Sequence, residues 1–492
     1  MHVDIVILGA GFAGSLTAMI ARRLGWEVLM LERGRHPRFA IGESTTPLAN
    51  LLLEYLTRRY DLPRLLPLCN YGHWKAVYPQ LRCGLKRGFS YFGHIEQQLY
   101  QTDEQHQQEL LVAASYQSED ADTHWLRADV DAFFAKCARE LGAVLWEDAQ
   151  GVTLQRSTQG WEVGVRQLEE HRAVRCRFIV DAGGDRGWLA QQLELCDLTH
   201  TLHTHSRAVF SHWRGVARWQ RELERRGFST TAHPFPCDAA ALHHVFSGGW
   251  MYVLRFDDDV VSAGFCVDPR RYPLPAESPA GEFQGWLRRF PSIAEQFKQA
   301  EMVEPPGRVI RTPRLQRRYQ PAAGEGWVLL PHALGFIDAL HSTGIALTMF
   351  GITRLARAWE EHGLSSSLTS ALQKSDTLAQ RELLLVDRIV AGSYASFHDF
   401  PRMVAMTMFY FAAAIWSELR IREQGEHPEA FLGADRPEWC QLIEQAEQLV
   451  RDQTITTSEF THWVRQAITP FNRAGLADPQ RNNMYPYPTP AE

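Results

Sequence analysis

Residues 1–34 read MHVDIVILGAGFAGSLTAMIARRLGWEVLMLERG, and the spacing of three glycines within them decides the fold. Val3 to Leu8 is a short, apolar, β-branched run of the kind that forms a buried parallel strand. Gly9, Gly11 and Gly14 follow as GxGxxG and supply in turn a tight bend, a close backbone approach and close helix packing. Such a bend leaves backbone N–H groups free at a helix N-terminus, where a pyrophosphate is held. A second apolar run, Glu27 to Leu31, ends at Glu32, so an acid stands at a strand tip where a ribose hydroxyl needs an acceptor, with Arg33 beside it. Alone, the glycines also fit a structural Gly-rich turn. Strand, helix, second strand and terminal acid in one register specify a nucleotide-binding βαβ unit.

At 492 residues the chain exceeds one hydrophobic core, so two or three connected domains are expected. Its net charge of -6 argues against a nucleic-acid partner, which needs a basic surface. No basic-then-apolar leader opens the sequence, and the expected location is the cytoplasm. The longest apolar stretch, Met403 to Trp416, is shorter than a membrane span and reads as a buried helix. The cysteines form no CxxC pair and read as reduced thiols rather than disulfides or metal ligands. Only five of the 51 basic residues are lysine, so this sequence writes arginine wherever a generic positive charge suffices.

Along the chain, HPRFAIGESTTP (36–47) is an irregular segment ahead of a helix that Thr45 or Thr46 could cap, and Glu43, Ser44 and Thr45 are too polar for a core turn. The segment reads as a loop folded against the cofactor. CGLKRGFSY (83–91) suggests a strand with close backbone approach at Gly84 and Gly88 and with Lys86 projecting from a sheet. Lys86 is then either one more solvated lysine or an amine chosen because arginine cannot give up a proton or form a covalent bond. Residues 96–124 read as a polar insertion or loop. Arg127 opens a helix over 125–142, facing either a phosphate and ribityl chain or solvent. Asp181 closes a strand at the sheet's C-terminal edge, where cofactors bind in open α/β sheets. Residues 201–300 alternate apolar and polar, with HHVFSGGWMYVLRF and DDDVVSAGFCV forming a hairpin turned by three aspartates. His243 and His244, adjacent on a strand, point to opposite faces and make no metal site with His332 and His341. Beyond 365 the pattern is helical, and the Pro-rich tail from Asn482 reads as loose.

In consistent order from residue 3 to about 420, these segments resemble the flavin-dependent halogenases, most closely the phenol-halogenating branch that acts on phloroglucinol-like substrates. HPRFAIGESTTP looks like that family's flavin-reaching loop, CGLKRGFSY like its lysine strand, LLPHALGFIDALHSTG (329–344) like its flavin and halide loop, and SYASFHDF (393–400) like part of its helical C-terminal stretch. The resemblance implies an α/β fold: an FAD-binding Rossmann-like domain of glutathione-reductase type (1–200 and 301–360), an antiparallel substrate-side sheet (201–300) and a helical C-terminal region (361–492). It implies FAD used as FADH2 with O2 and chloride or bromide, a flavin hydroperoxide that oxidises the halide, and a lysine that presents the halogen to an electron-rich ring. Lys86 and Glu43 then take the catalytic positions. Gly335, Ile337, Asp338 and Gly344 fall in the flavin loop, Thr343 with the Gly344 N–H at the halide, and Trp250, Tyr252 and His341 on the substrate side. Only one dinucleotide fingerprint is visible, so a separate flavin reductase is the expected partner. The substrate is a small aromatic, free or carrier-bound, and a homodimer is left open.

Three departures stand against the resemblance. The family's WxWxIP motif reads WMYVLR here, with Tyr252 for the second Trp and Arg255 for Pro, a change that weakens a barrier between flavin and substrate. Ala339 replaces a proline, and His332 an aspartate of more distant flavoenzymes. The alternative function is a flavin monooxygenase or oxidase on this scaffold that does not halogenate. A flavoprotein that has lost catalysis is a third reading. His341 is either a packed loop residue or a proton acceptor for a phenol.

Overall fold

Three wholly buried four-residue runs make the sheet that the glycine turn needs: Ile5–Leu8 (β1), Val28–Leu31 (β2) and Phe178–Asp181. Side chains apolar on both faces suit a parallel sheet covered from both sides. In the computed structural model, which describes residues 1–492 apart from 159, 168–169, 185–186, 426–428 and 489–492, β1 lies between the other two. Leu8 pairs with Leu31 on one side and Asp181 on the other. The three strands therefore stop at one level, and the fingerprint turn, Glu32 and the loop after Asp181 share one edge. Trp327–Leu329 and Val144–Trp146 extend this sheet to either side.

The turn runs from β1 into the helix Phe12–Arg23 (α1). A Cβ on Gly14 would stand 2.0 Å from the Gly9 carbonyl oxygen, so the third glycine is fixed by helix-to-strand packing. Gly9 itself sits at φ +95°.

A nine-stranded, mainly antiparallel sheet carries the other half of the site. It contains Arg207–Arg214, Ala241–Phe246, Gly249–Arg255 and Val261–Val267, joined where expected by the turn through the three aspartates. It also recruits strands from outside 201–300. The lysine strand Cys83–Lys86 (β3) is followed by Gly88–His94 (β4), which pairs parallel to Ala241–Phe246, and then by Glu109–Ala113 (β5). Asp122–Trp125 (β6) pairs with β3, setting Lys86 opposite Asp122. Residues 96–124, expected as a polar insertion, thus contain two wholly buried strands. A division of the chain at residue 200 does not follow the sheets. The tail differs too: Met484–Tyr485 forms the strand beyond β5, and Tyr487 donates to Glu418. The remainder of the expected loose tail, 489–492, lies outside the described residues.

Period-2 alternation gives this sheet two unlike faces. Phe89, Tyr91, Trp250, Tyr252 and Leu254 join the core that includes the nucleotide-binding sheet, whereas Phe92, Leu111, Met251, Val253 and Phe265 form a second core. The helices Pro47–Arg59 (α2), Thr343–His362, Ser366–Ser396 and Phe400–Gln424 pack on one another around the first core. Thr46 takes the N-cap position of α2, but its side chain makes no cap hydrogen bond. The segment Phe400–Glu423 is longer than the apolar stretch read from sequence and is long and apolar enough to cross a membrane; 78% of its most apolar window is buried inside the protein, as in a core helix.

Gly84 tests the lysine strand directly. A Cβ there would lie 1.9 Å from the Arg255 carbonyl oxygen, a rigid backbone atom. Gly84→Ala is expected to destabilise the protein by about 1–3 kcal/mol, read as a lower urea midpoint, because the strand must move off its neighbour.

Candidate active site

At the nucleotide edge, Glu32 is buried at the tip of β2 and accepts from the Ala10 and Gly34 N–H groups and from Arg38 at 2.8 Å. Burial alone would raise its carboxyl; the Arg38 guanidinium and the backbone donors outweigh it and hold the group at about 2. The basic residue bonded to Glu32 at this tip is Arg38, while Arg33 is exposed. Arg38 also reaches Asp131 at 3.2 Å, and Asp131 Oδ1 accepts from the Phe12 N–H at the start of α1. Arg127 is buried rather than solvated. It pairs with Asp131, donates to the Ile41 and Gly42 carbonyls, and lies over the Phe12 ring. Two guanidiniums thus converge where the fingerprint turn presents its N–H groups, and a Cβ on Gly11 would meet both at 3.5 Å. This donor set fits the pyrophosphate and ribose of a dinucleotide. Asp181 spends its carboxylate on the Gly183 and Leu189 N–H groups, so it shapes the adjoining loop instead of reaching outward.

The segment 43–46 connects this edge to the lysine. Trp125 N–H donates to Glu43 O at 2.6 Å, and Thr45 exchanges three hydrogen bonds with Thr123, zipping the loop to β6. Lys86 is 0% exposed, so the solvated reading is excluded. Its Nζ donates to the Thr45 carbonyl at 2.5 Å and stands 4.0 Å from the centroid of the Phe89 ring. Burial pushes the amine down from its ordinary value and pushes Asp122, opposite it, up. Asp122 Oδ1 accepts from Asn50, and the residue borders a polar cleft with Arg422 and Tyr487. On the other side, Phe89, Thr46, Leu48, Tyr410 and Phe411 line an apolar cleft.

Glu43 is buried with one carboxylate oxygen, Oε1, 2.8 Å from His212 Nε2. Its second oxygen and the Tyr252 hydroxyl are buried without partners among the described residues. Burial works against charge on His212, yet the Glu43 carboxylate holds it above its ordinary value. His212 carried no sequence signal, because its strand brings it to Glu43 across 169 residues. Ser44 accepts from Ser342 at 3.0 Å, joining this loop to the one before Thr343–His362.

That loop is bent by left-handed conformations at His341 (φ 67°) and Ser342 (φ 55°). Thr343 is buried at the helix start, and Gly344 is exposed with open space where a Cβ would be. Gln316 Nε2 donates to the Ile337 carbonyl, and Gly335 pairs with Arg318. Asp338 turns inward: its carboxylate receives Ser206, Tyr394 and the Leu340 N–H, while Trp250 donates to Tyr394. Burial pushes Asp338 up despite these donors. It is an organiser of the loop, not an exposed ligand. His332 lies 3.0 Å from the Ala182 carbonyl and is held by burial at about 4.

His341 packs parallel to Tyr410 at 4.7 Å and lies 3.1 Å from the Tyr91 hydroxyl; burial pushes it well below its ordinary value, so it is neutral. Tyr91 stacks on His243 at 4.2 Å and His243 meets Trp250, whereas His244 binds His94 and Gln296 on the opposite face, as the strand alternation requires. Arg255 also points to that opposite face, to Asp238 and the Val216 carbonyl. It does not share the face of Trp250 and Tyr252, so on that face the departure from WxWxIP at these positions is the tyrosine at 252.

Residues 4–223 match the family model "FAD dependent oxidoreductase". The chain is 29% identical to monodechloroaminopyrrolnitrin halogenase PrnC of Pseudomonas fluorescens, covering 90% of this chain and 80% of that protein. It is 28% identical to tetracycline 7-halogenase of Kitasatospora aureofaciens, covering 89% and 80%. The crystal structure of halogenase PltM in complex with phloroglucinol and FAD superposes with a TM-score of 0.86 at 25% identity, covering 98% of this chain and 99% of the other.

The Glu43–His212 pair makes stability depend on pH. A raised imidazole contributes fully below its unfolded value of about 6.5 and loses that contribution as pH climbs through the folded value. His212→Asn is expected to cost about 3 kcal/mol near pH 6, and the difference in Tm from the parent protein narrows in thermal melts as pH rises through the folded value.

Proposed function

The chain belongs to the flavin-dependent halogenase family, and on that premise we propose that it halogenates a small, electron-rich phenolic aromatic, using FADH2, O2 and chloride or bromide, with Lys86 delivering the halogen. The observation that carries this reading is the Lys86 amine, wholly buried, bonded to the Thr45 carbonyl and facing an aromatic wall. The fingerprint glycines, Glu32, Arg38 and Arg127 would hold FAD at the nucleotide edge, with Ser44, Thr45, Gly335, Ile337 and Gly344 completing its site. When bound as FADH2, FAD supplies with O2 the oxidising equivalent that turns halide into hypohalous acid. The Thr343 hydroxyl and Gly344 N–H bind the halide without a competing negative charge.

Lys86 acts as a neutral amine, which its burial favours. The amine takes halogen from hypohalous acid, forming an N–halogen bond and releasing water. The ring carbon then takes the halogen, loses its proton and restores the N–H. Asp122, across the strand pair, receives the proton an ammonium must shed and leads it toward the polar cleft with Asn50 and Arg422. Glu43 stands in the loop between the nucleotide edge and the lysine, and Trp250, Tyr252 and His341 wall the substrate side. A free phenol agrees with the phloroglucinol complex of the structural relative. With a single dinucleotide fingerprint in the chain, a separate reductase delivers FADH2.

Lys86→Ala is expected to leave FAD binding and O2 consumption intact and to lower halogenated product by at least about 100-fold, with no rescue in Lys86→Arg. The assay supplies a flavin reductase, bromide and a panel of phenols and reads product by mass spectrometry; product at the parent rate from Lys86→Ala overturns the role. Asp122→Asn removes the charge that favours the ammonium. The acid limb of the halogenation rate is expected to move to lower pH, and an unmoved limb removes Asp122 from the proton path.

A further inference from the structure

On the face of the nine-stranded sheet away from Phe89 and Tyr91, His106, Glu109 and His233 close on one another. His106 Nδ1 lies 2.7 Å and His233 Nε2 3.0 Å from the same Glu109 oxygen, Oε2. The possible ligand atoms of the three lie within 4.8 Å of one another, and among the described residues this is the one grouping of its kind. Three separate segments build it: the loop before β5, β5 itself, and the loop ahead of Cys237. We propose that this group is a binding site for one divalent transition metal ion of zinc type, independent of the flavin and lysine machinery.

The ligand chemistry is that of a two-imidazole, one-carboxylate zinc site with a position left for water. Zinc bonds of about 2.0–2.1 Å in tetrahedral geometry set neighbouring ligand atoms roughly 3.3 Å apart, so each imidazole nitrogen would move slightly off the Glu109 oxygen as the ion enters. Charge balance supports an ion. Glu109 is 0% exposed, and among the described residues its ion-pair partners are these two imidazoles, with no lysine or arginine. A buried carboxylate with no fixed cation is costly, and a dication supplies the missing charge. An outer layer is present as well. Tyr100 donates its hydroxyl to the second Glu109 oxygen at 3.2 Å, fixing the carboxylate's orientation. Asn483 donates to the His106 carbonyl, and His106 is held at φ 54°, in the left-handed region. The backbone is bent so that this ring faces Glu109.

The test uses the full chain, stripped with a chelator and titrated with zinc alone. One zinc per chain by elemental analysis is expected, with cobalt giving visible absorption of a tetrahedral N/O site. Glu109→Gln is expected to weaken uptake by roughly 100-fold. Should that variant fail to fold, zinc-soaked crystals of the parent protein decide alone, through an anomalous peak within bonding distance of all three side chains. No stoichiometric uptake, undiminished uptake in Glu109→Gln, or a peak elsewhere overturns the proposal and leaves the three as a hydrogen-bonded trio.

Discussion

The molecule is arranged around one amine kept out of water. Lys86 has no exposed surface, and its partners are a backbone carbonyl, an aromatic face and a carboxylate one strand away. An ammonium in such a place loses most of its hydration, and these neighbours compensate only in part, so its balance tips toward the neutral base. The carbonyl it binds belongs to Thr45. Because Thr45 is locked to Thr123, and Glu43 to Trp125, the loop at the nucleotide edge and the lysine strand share the same short strand as a support. Moving the amine means moving both.

A second buried acid holds the opposite wall. Asp338 gathers Ser206, Tyr394 and the Leu340 N–H, and through Tyr394 it fixes Trp250. The glycine-rich loop before the helix Thr343–His362 is therefore tied to the nine-stranded sheet and to the helix Ser366–Ser396 at once. A fully satisfied polar network of this kind specifies one arrangement where apolar packing alone tolerates several.

What could be read from sequence was what local pattern encodes. The fingerprint strand, turn and helix, the three-aspartate hairpin, the close approach at Gly84 and the opposed directions of His243 and His244 all follow from periods of two or from glycine spacing. Arg255 faces away from the wall of Trp250 and Tyr252 because the alternation that separates His243 from His244 also runs through WMYVLR. Charged and glutamine-rich flanks hide the two short buried strands Glu109–Ala113 and Asp122–Trp125 in the sequence. Long-range partners left no trace: Arg38 with Asp131, Glu43 with His212, and Glu109 with His233 meet only once the sheets are formed. The partners of the Asp181 and Asp338 carboxylates were equally hidden, since a strand-end acid can satisfy its own loop.

The strand Met484–Tyr485 pairs with β5, which is made roughly 370 residues earlier. At typical ribosomal speeds that interval is roughly 20–70 s. Throughout it, the outer rim of the sheet has no strand to dock against, and rims in that condition invite pairing with other chains. The rim at Leu111 and Val112 is therefore completed only when the C-terminal strand has been synthesised.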